Sequence, residues 1–596
     1  MGSRRGEHAK ITGIGLRCGA IAIAVSLAAA IAGPSVASAQ DSAAASASAS
    51  AEAMTTIAGN RPDEAAEFAS GPEIGAAQSM RMQIVLALHN QGALDKLLSA
   101  QQDPSSPQYH QWLTPDEFNA RFGPTQSEVS VVSSWLARKG FTVQSAIAAR
   151  RAIVFSGPAA AAESAFKVKI HTDASGALYA NLGDPSIPAS IAPIVGAIRG
   201  LSNILRARPN ARVVPNASAM PEVRIGSSTA FGPNDLYTFY DQTPPSSSSN
   251  DGSGADCIAV LEDSDFDGPS VAAFDTQFSL PSINLTRKYS SNGGKPGFNL
   301  DEPESLLDVE YAHAAAPGVP VYAYIGDDAT SSGGIGLIDA GAEAVSDDTC
   351  GAIDISFSFC GGTKRFYSHE LGGFLKQAAA QGQAVFVASG DEGAAGLEFD
   401  TATNTCVEGA IANVNEMSAD PHVTAVGGTQ FNADFASSGI DVGNVAESVW
   451  NDGSGASGGG NSRIFHKPAY QNGIAGLKSR RAVPDVSFAA SPNTPGFFWG
   501  NGGRVTCCIG GTSLGAPYWA GIAQLAAQRK GRPRIGNLNR TLYSIGKHGG
   551  AGIRDVTQGS NSRNGVPGFS ATPGYDRATG LGTPDIDLLL GAIATP

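Results

Sequence analysis

Charge is scarce in this sequence. Asp, Glu, Lys and Arg together make up 16% of its 596 residues, and the balance is acidic, with a formal net charge of −14. Nothing gathers Lys and Arg into a basic stripe, which argues against a nucleic-acid partner. A low, acid-biased charge content also suits a protein that works in acid, where ion pairs are lost as carboxylates take up protons. Long apolar runs are equally scarce. Past the N-terminus no segment is long enough to cross a bilayer, so no stable membrane association is expected. No CxxC or HxxxH spacing occurs, so the cysteines carry no metal-site pattern.

What is there begins with an export signal. Arg4, Arg5, Lys10 and Arg17 precede the apolar run Cys18 to Ala32, and Val36-Ala37-Ser38-Ala39 offers the small residues a signal peptidase reads. A signal peptide over 1–39 is expected, and with it a secreted protein, extracellular or periplasmic. Cys18 leaves with that segment. Six cysteines remain (Cys257, Cys350, Cys360, Cys406, Cys507 and Cys508), a number that fits disulfides in an exported chain but does not fix their pairing. The neighbours Cys507 and Cys508 are expected not to bond each other, because adjacent residues fit disulfide geometry poorly.

The length exceeds one ordinary core, so two domains are expected. An Ala/Ser-rich linker spans 40–58. A small α+β domain follows over 59–206. In it Thr114, Pro115 and Glu117 mark a capped helix start, Thr125 and Glu128 mark another, and Gly140 stops the second helix. The runs Phe141 to Val143, Ala152 to Phe155 and Ala165 to Ile170 read as strands. A Pro-, Arg- and Asn-rich connector covers 207–228, exposed and open to cleavage. From 229 to 596 the chain alternates helical stretches with continuous apolar runs, such as Cys257 to Leu261, Val319 to Ile325 and Ala384 to Ala388. Such runs are strands buried on both faces of a mostly parallel sheet, and the class is α/β.

Three segments carry chemistry. Gly510-Gly511-Thr512-Ser513-Leu514-Gly515-Ala516-Pro517 sets a serine between a Gly-rich turn and an apolar helix, with backbone N–H donors beside it. Glu304 and Asp308 lie four apart at the start of a helix, on one face, where paired carboxyls raise a pKa. Asp391, in Ser389-Gly390-Asp391-Glu392-Gly393, follows a buried strand, where α/β enzymes place working groups. G-T-S-x-x-x-P is also the serine motif of subtilisin-like peptidases, but none of the nine histidines sits in the His-Gly-Thr-His setting those enzymes use.

Taken in order, Glu-x-x-x-Asp on a helix, S-G-D-x-G after a strand and G-G-T-S-x-x-x-P before a helix resemble the sedolisin family of serine-carboxyl peptidases. Ser418 to Thr429, Ser457 to Ser462 and Arg481 to Ser487 match further landmarks, and Asp103 to Thr114 is similar to the family's propeptide. The resemblance implies a subtilisin-like catalytic domain behind a removable propeptide that acts as an intramolecular inhibitor. It implies an acid-acting, self-processing serine-carboxyl endopeptidase on protein and peptide substrates, expected as a monomer. In it Ser513 is the nucleophile, Glu304 the base, Asp308 its partner and Asp391 an oxyanion donor; Glu262 matches a position that extends the carboxyl network in some relatives. One Ca2+ per chain is implied, held by Asp555 and Asp576 with the carbonyls of Val556, Thr572 and Gly574. Substrate is expected as an extended strand against Ser356, Ser358, Gly458 and Gly459, although Phe359-Cys360-Gly361 replaces the more usual Trp-Gly. The alternatives are a tripeptidyl exopeptidase of the same family and an inactive secreted binding protein.

Overall fold

The continuous apolar runs form the central sheet. In the computed structural model its parallel strands run in the order Leu285–Tyr289, Val321–Ile325, Cys257–Glu262, Cys350–Ile355, Ala384–Ala388 and Thr424–Phe431. Val486–Ala489 extends the sheet in parallel and Glu447–Val449 antiparallel, both on Thr424–Phe431. The structure describes residues 52–147, 151–214, 224–225, 228–245, 251–291, 295–326, 335–431, 446–493, 496–547 and 550–594. The expected signal peptide, most of the Ala/Ser linker and the middle of the connector lie outside them.

Both faces of the sheet are covered, as its unbroken apolar strands require. On one face the helices Glu302–Ala315 and Gly515–Arg529 pack against each other and against the strands. They cross closely at Gly521, where a Cβ would come 2.4 Å from that of Ala315. A larger side chain there would push the helices apart, at a cost of about 1–3 kcal/mol for overpacking. On the other face lie Ile335–Asp347 and Gly372–Gln381, whose Leu337, Ile338, Phe374 and Leu375 meet Ile353, Ile355 and Val387. Cys257 pairs with Cys350 between neighbouring strands and Cys360 with Cys406. Cys507 and Cys508 lie side by side across a cis peptide bond, their Cα atoms 3.0 Å apart.

Ahead of this sheet stands a second, antiparallel one, in the order Thr142–Ile147, Ala152–Pro158, Ser79–Leu86 and Val195–Arg199. Gln126–Arg138 and Ala159–Phe166 supply Val132, Trp135, Leu136, Ala162 and Phe166 to its core. Both expected capping boxes form, at Thr114 with Glu117 and at Thr125 with Glu128. The strand expected over Ala165 to Ile170 is corrected: Ala165 and Phe166 end a helix, because the Ala-rich run after Pro158 favours helix, and only Ile170–Thr172 is extended. Met54–Thr56, within the expected linker, pairs with Ser186–Pro188.

Side chains of the first region reach into the second. Leu88, Leu94, Phe118 and Phe122 cluster with Ala379 and Ala380. The ring of Trp112 lies against Gly382 and Gly536, where a Cβ would come within 2.3 and 2.5 Å of it. Arg151, buried, donates to the carbonyls of Leu86, His369 and Glu370, and Arg199 pairs with Glu370 at 2.9 Å.

Candidate active site

The helix Glu302–Ala315 opens with Asp301 and has Pro303 in its first turn, where a missing N–H costs nothing. Its four-residue spacing brings Glu304 and Asp308 to one buried face, each no more than 1% exposed. Two further carboxyls meet them there. Glu262 ends the central strand Cys257–Glu262, and Asp354 sits near the end of Cys350–Ile355; both are fully buried. Burial raises all four pKa values, and like charge adds to it at Glu262, Glu304 and Asp308. Glu262 stands well above the carboxyl range through burial, then the charges of Glu304 and Asp354. Asp308 is raised likewise by burial, then by Asp354, Glu304 and Glu262. Asp354 is pushed up to about 8 by burial, while an interaction with Asp308 pulls it down. Neither oxygen of Asp308 meets a conventional donor, which a proton held between these carboxyls would satisfy. For Glu304 burial dominates again, opposed by the nearby Ser513 side chain and by the hydrogen bond from the Ala211 amide.

Asp391 follows the strand Ala384–Ala388, and Gly390 before it turns at φ +107°. Asp391 Oδ1 accepts from the Thr512 amide and hydroxyl, both at 2.9 Å. Its Oδ2 makes no hydrogen bond. Burial pushes its pKa up to about 7, although the Arg212 guanidinium, 3.3 Å from Oδ2, works against this. Ser513 lies in the short turn Thr512–Leu514 that leads into Gly515–Arg529, and its hydroxyl donates to the Ser356 carbonyl at 3.3 Å. Ser513, Glu304, Asp308 and Asp391 thus converge from a turn, a helix and a strand end. Among the described residues no hydrogen bond joins a histidine to any of them; the buried His313 is bound to the Pro281 carbonyl at 2.8 Å.

The connector, expected to be exposed, instead runs through this site where it is described. Arg206–Pro209 pairs antiparallel with Phe357–Cys360, Arg208 opposite Ser358. Pairing buries backbone groups that an exposed loop would leave to water. The Asn210 amide donates to the Ser356 carbonyl at 3.0 Å, and the Ser358 hydroxyl donates to Asn210 Oδ1 at 2.9 Å. The Ala211 amide donates to Glu304 Oε2 at 2.7 Å. Arg212–Val213 then pairs with Ile509 and Gly510. Gly511, at φ +116°, makes room: a Cβ there would come 1.9 Å from the Asn210 carbonyl oxygen and 2.8 Å from Asp391 Oδ2. The Asn210 carbonyl oxygen and Asp391 Oδ2 therefore lie beside the same glycine, and the nitrogen of the same peptide bond donates to Glu304. Of the residues expected to line the substrate strand, Ser356 and Ser358 contact the connector. Gly458 and Gly459 do not: the Gly458 amide donates to the Gly390 carbonyl at 2.7 Å, and Gly459 packs against the Arg577 carbonyl.

Residues 67–204 match the model of the pro-kumamolisin activation domain. Sedolisin of Pseudomonas sp. (strain 101) is 30% identical over 541 residues, 88% of each chain. The chain belongs to the sedolisin family. It is a serine-carboxyl peptidase, a hydrolase, made with a propeptide. Kumamolisin of Bacillus sp. (strain MN-32) is 30% identical over 559 residues, 89% of this chain and 95% of its own. Tripeptidyl-peptidase 1 of Mus musculus is 25% identical over 560 residues, 87% and 92% of the two chains. A solved structure of Pseudomonas sedolisin, complexed with two molecules of pseudo-iodotyrostatin, superposes with a TM-score of 0.51. It is 28% identical and covers 61% of this chain and 99% of its own.

Within this sedolisin-family chain, the C-terminal loop fits a hard cation. Asp555 Oδ2 accepts from the Gly574 amide at 2.8 Å, and Asp576 accepts from the amides of Thr572, Ala578 and Thr579. Burial raises both pKa values. Among the described residues no Lys or Arg pairs with either aspartate, and the carbonyls of Val556, Thr572 and Gly574 accept no hydrogen bond. No group of three or more His, Cys, Asp or Glu assembles among the described residues. Two carboxyls with three carbonyls need no such group, and all five candidate groups offer oxygen, the donor calcium takes.

Two features escape the sequence motifs. Asp354 lies outside all of them, although a charged residue inside the apolar run Ala352-Ile353-Asp354-Ile355 signals a buried polar role. Arg208 and Arg212 read only as connector composition, and their partner Glu392 passes as the variable residue of S-G-D-x-G.

Proposed function

We propose that the protein is an exported, acid-acting endopeptidase that matures by cutting its own connector, first between Asn210 and Ala211. The observation that carries this is the position of that peptide bond, its carbonyl toward Asp391 and its nitrogen on Glu304. Ser513 Oγ attacks the carbonyl carbon, and Glu304, whose Oε1 is free of hydrogen bonds, takes the hydroxyl proton. The carbonyl oxygen becomes an oxyanion that accepts a hydrogen bond from protonated Asp391 Oδ2. Glu304 then passes its proton to the leaving nitrogen, and the C–N bond breaks to give an acyl-enzyme. Water, deprotonated by Glu304, hydrolyses the ester and returns Ser513. Asp308, backed by Asp354 and Glu262, holds Glu304 through shared protons. A carboxyl base suits acid, where an imidazole of ordinary pKa near 6.5 would already be charged.

Cutting within a chain is favoured over removal of tripeptides from free N-termini. A tripeptidyl enzyme closes its cleft three residues before the cut, at the place of Arg208. Here the strand pairing continues back to Arg206, opposite Cys360. The basic and apolar N-terminal residues support export with removal of 1–39. The oxygen ligands of the C-terminal loop support one calcium per chain, which would tie Asp555 to Asp576 and stiffen the loop without entering the chemistry.

The test is maturation itself. Precursor purified at neutral pH and shifted to about pH 4, near the carboxyl reference values, is expected to lose its first domain, and N-terminal sequencing should find Ala211 early. Ser513→Ala should stay full length. Equal processing of the serine variant would remove the proposal.

A further inference from the structure

The connector also reports which side chains the cleft accepts. Arg208 and Arg212 stand two residues either side of Asn210, so all three fall on one face of an extended strand, where side chains alternate. Both guanidiniums converge on one carboxylate. Arg212 Nη2 donates to Glu392 Oε1, and Arg208 Nη1 lies 3.5 Å from the same oxygen. The Asp391 amide donates to Glu392 Oε2 at 3.1 Å and fixes the group. Glu392 is 1% exposed. A buried carboxylate that loses its cation is strongly destabilised, so departure of the connector leaves an anionic socket spanning the cut. Arg563, the neighbouring basic side chain, is already committed to Glu408 at 2.8 Å.

Resting on the peptidase function proposed above, we infer that Glu392 is a specificity-determining residue selecting peptides with arginine three residues before the cleaved bond, two after it, or both. Two planar guanidiniums meet at one oxygen of the carboxylate, which lysine does less well. Because both share Glu392, the second arginine adds less than the first. Asn210 fills the remaining position of that face, on the Ser358 hydroxyl.

The experiment uses enzyme matured from the full chain and an internally quenched peptide spanning Arg206 to Val214, with citrulline replacing arginine at the positions of Arg208, Arg212 or both. Citrulline keeps the shape and removes the charge. At about pH 5, each replacement is expected to lower kcat/KM about ten-fold, as befits a charged hydrogen bond. In Glu392→Gln the arginine-to-citrulline ratio should fall to near one, with Glu392→Asp in between. A ratio within about two-fold in the wild type, set against that expected loss, would overturn the assignment; so would a ratio unchanged in Glu392→Gln. Should Glu392→Gln fail to mature, the citrulline series on unmodified enzyme decides alone. Failure of the peptidase function looks different: no peptide is cut, and wild type equals Ser513→Ala.

Discussion

Asp391 sets the alkaline limit of activity if its Oδ2 must carry a proton. The perturbation is pH, with Asp391→Asn and Asp391→Ala as controls. Oδ1 is already occupied by two donors from Thr512, so the proton belongs on Oδ2, which lies beside Gly511 as the Asn210 carbonyl does. Burial holds that proton up to about pH 7. Half of the donor is then lost near pH 7, and activity should fall about ten-fold per pH unit above it, as for a single titrating group. Deleting an oxyanion donor costs about 10²–10³ in kcat, so Asp391→Ala should fall by that factor at every acid pH. Asn donates through its amide whatever the pH. Asp391→Asn is therefore expected to keep more activity in acid than Asp391→Ala and to push its alkaline limb upward. The assay is kcat/KM on an N-blocked, internally quenched peptide from pH 3 to 9 with matured enzyme. An alkaline limb unmoved in Asp391→Asn, or an Asp391→Ala enzyme within a few-fold of wild type, would refute the role.

Asp354 is neutral in the fold up to about pH 8 but titrates near 4 when unfolded, so the folded state binds an extra proton between those values. Its stability is intact below about pH 4 and is lost as pH rises toward 8. Thermal scans of Ser513→Ala precursor should show Tm falling over that window, and Asp354→Asn should flatten the slope; a slope unchanged in the variant would count against it. Asp576→Ala, or a chelator on wild type, should lower Tm, because ligand binding stabilises the native state by mass action. Equal melting with and without chelator would exclude a stabilising calcium.

The sheet was legible because its strands are buried on both faces and read as unbroken apolar runs, and Glu304 and Asp308 because a helix puts i and i+4 together. The run Ala159 to Phe166 was harder. Its C-terminal Ala165-Phe166 abuts Val168-Lys169-Ile170, and apolar spacing alone does not locate the turn at Lys167, where φ is +55°. Asp354 was invisible as chemistry since its partners lie 46 and 92 residues away in sequence, joined only by strand order. The connector's composition reads as an exposed loop. Its real surroundings come from an edge strand it pairs with, and pairing of that kind has no local signature.

On the function proposed above, inhibition and activation turn on the same proton. At neutral pH Asp391 shares its negative charge with Arg212, and an ionised Asp391 can only accept hydrogen bonds. The connector is then gripped by an ion pair and faces no oxyanion donor. As pH falls below about 7, Asp391 gains its proton. The attraction to Arg212 weakens in the same step that creates the donor. At the domain contact Glu370 behaves in parallel: burial raises its pKa, so it protonates early, leaving the buried Arg151 without its counter-charge and Arg199 with only Asp339, 3.8 Å away. Buried, unpaired guanidiniums are costly, and the first region is pushed off as the connector becomes cuttable. Arg212→Ala should therefore loosen the grip and shift processing of the precursor toward higher pH. That shift cannot arise if the connector is held by backbone pairing alone.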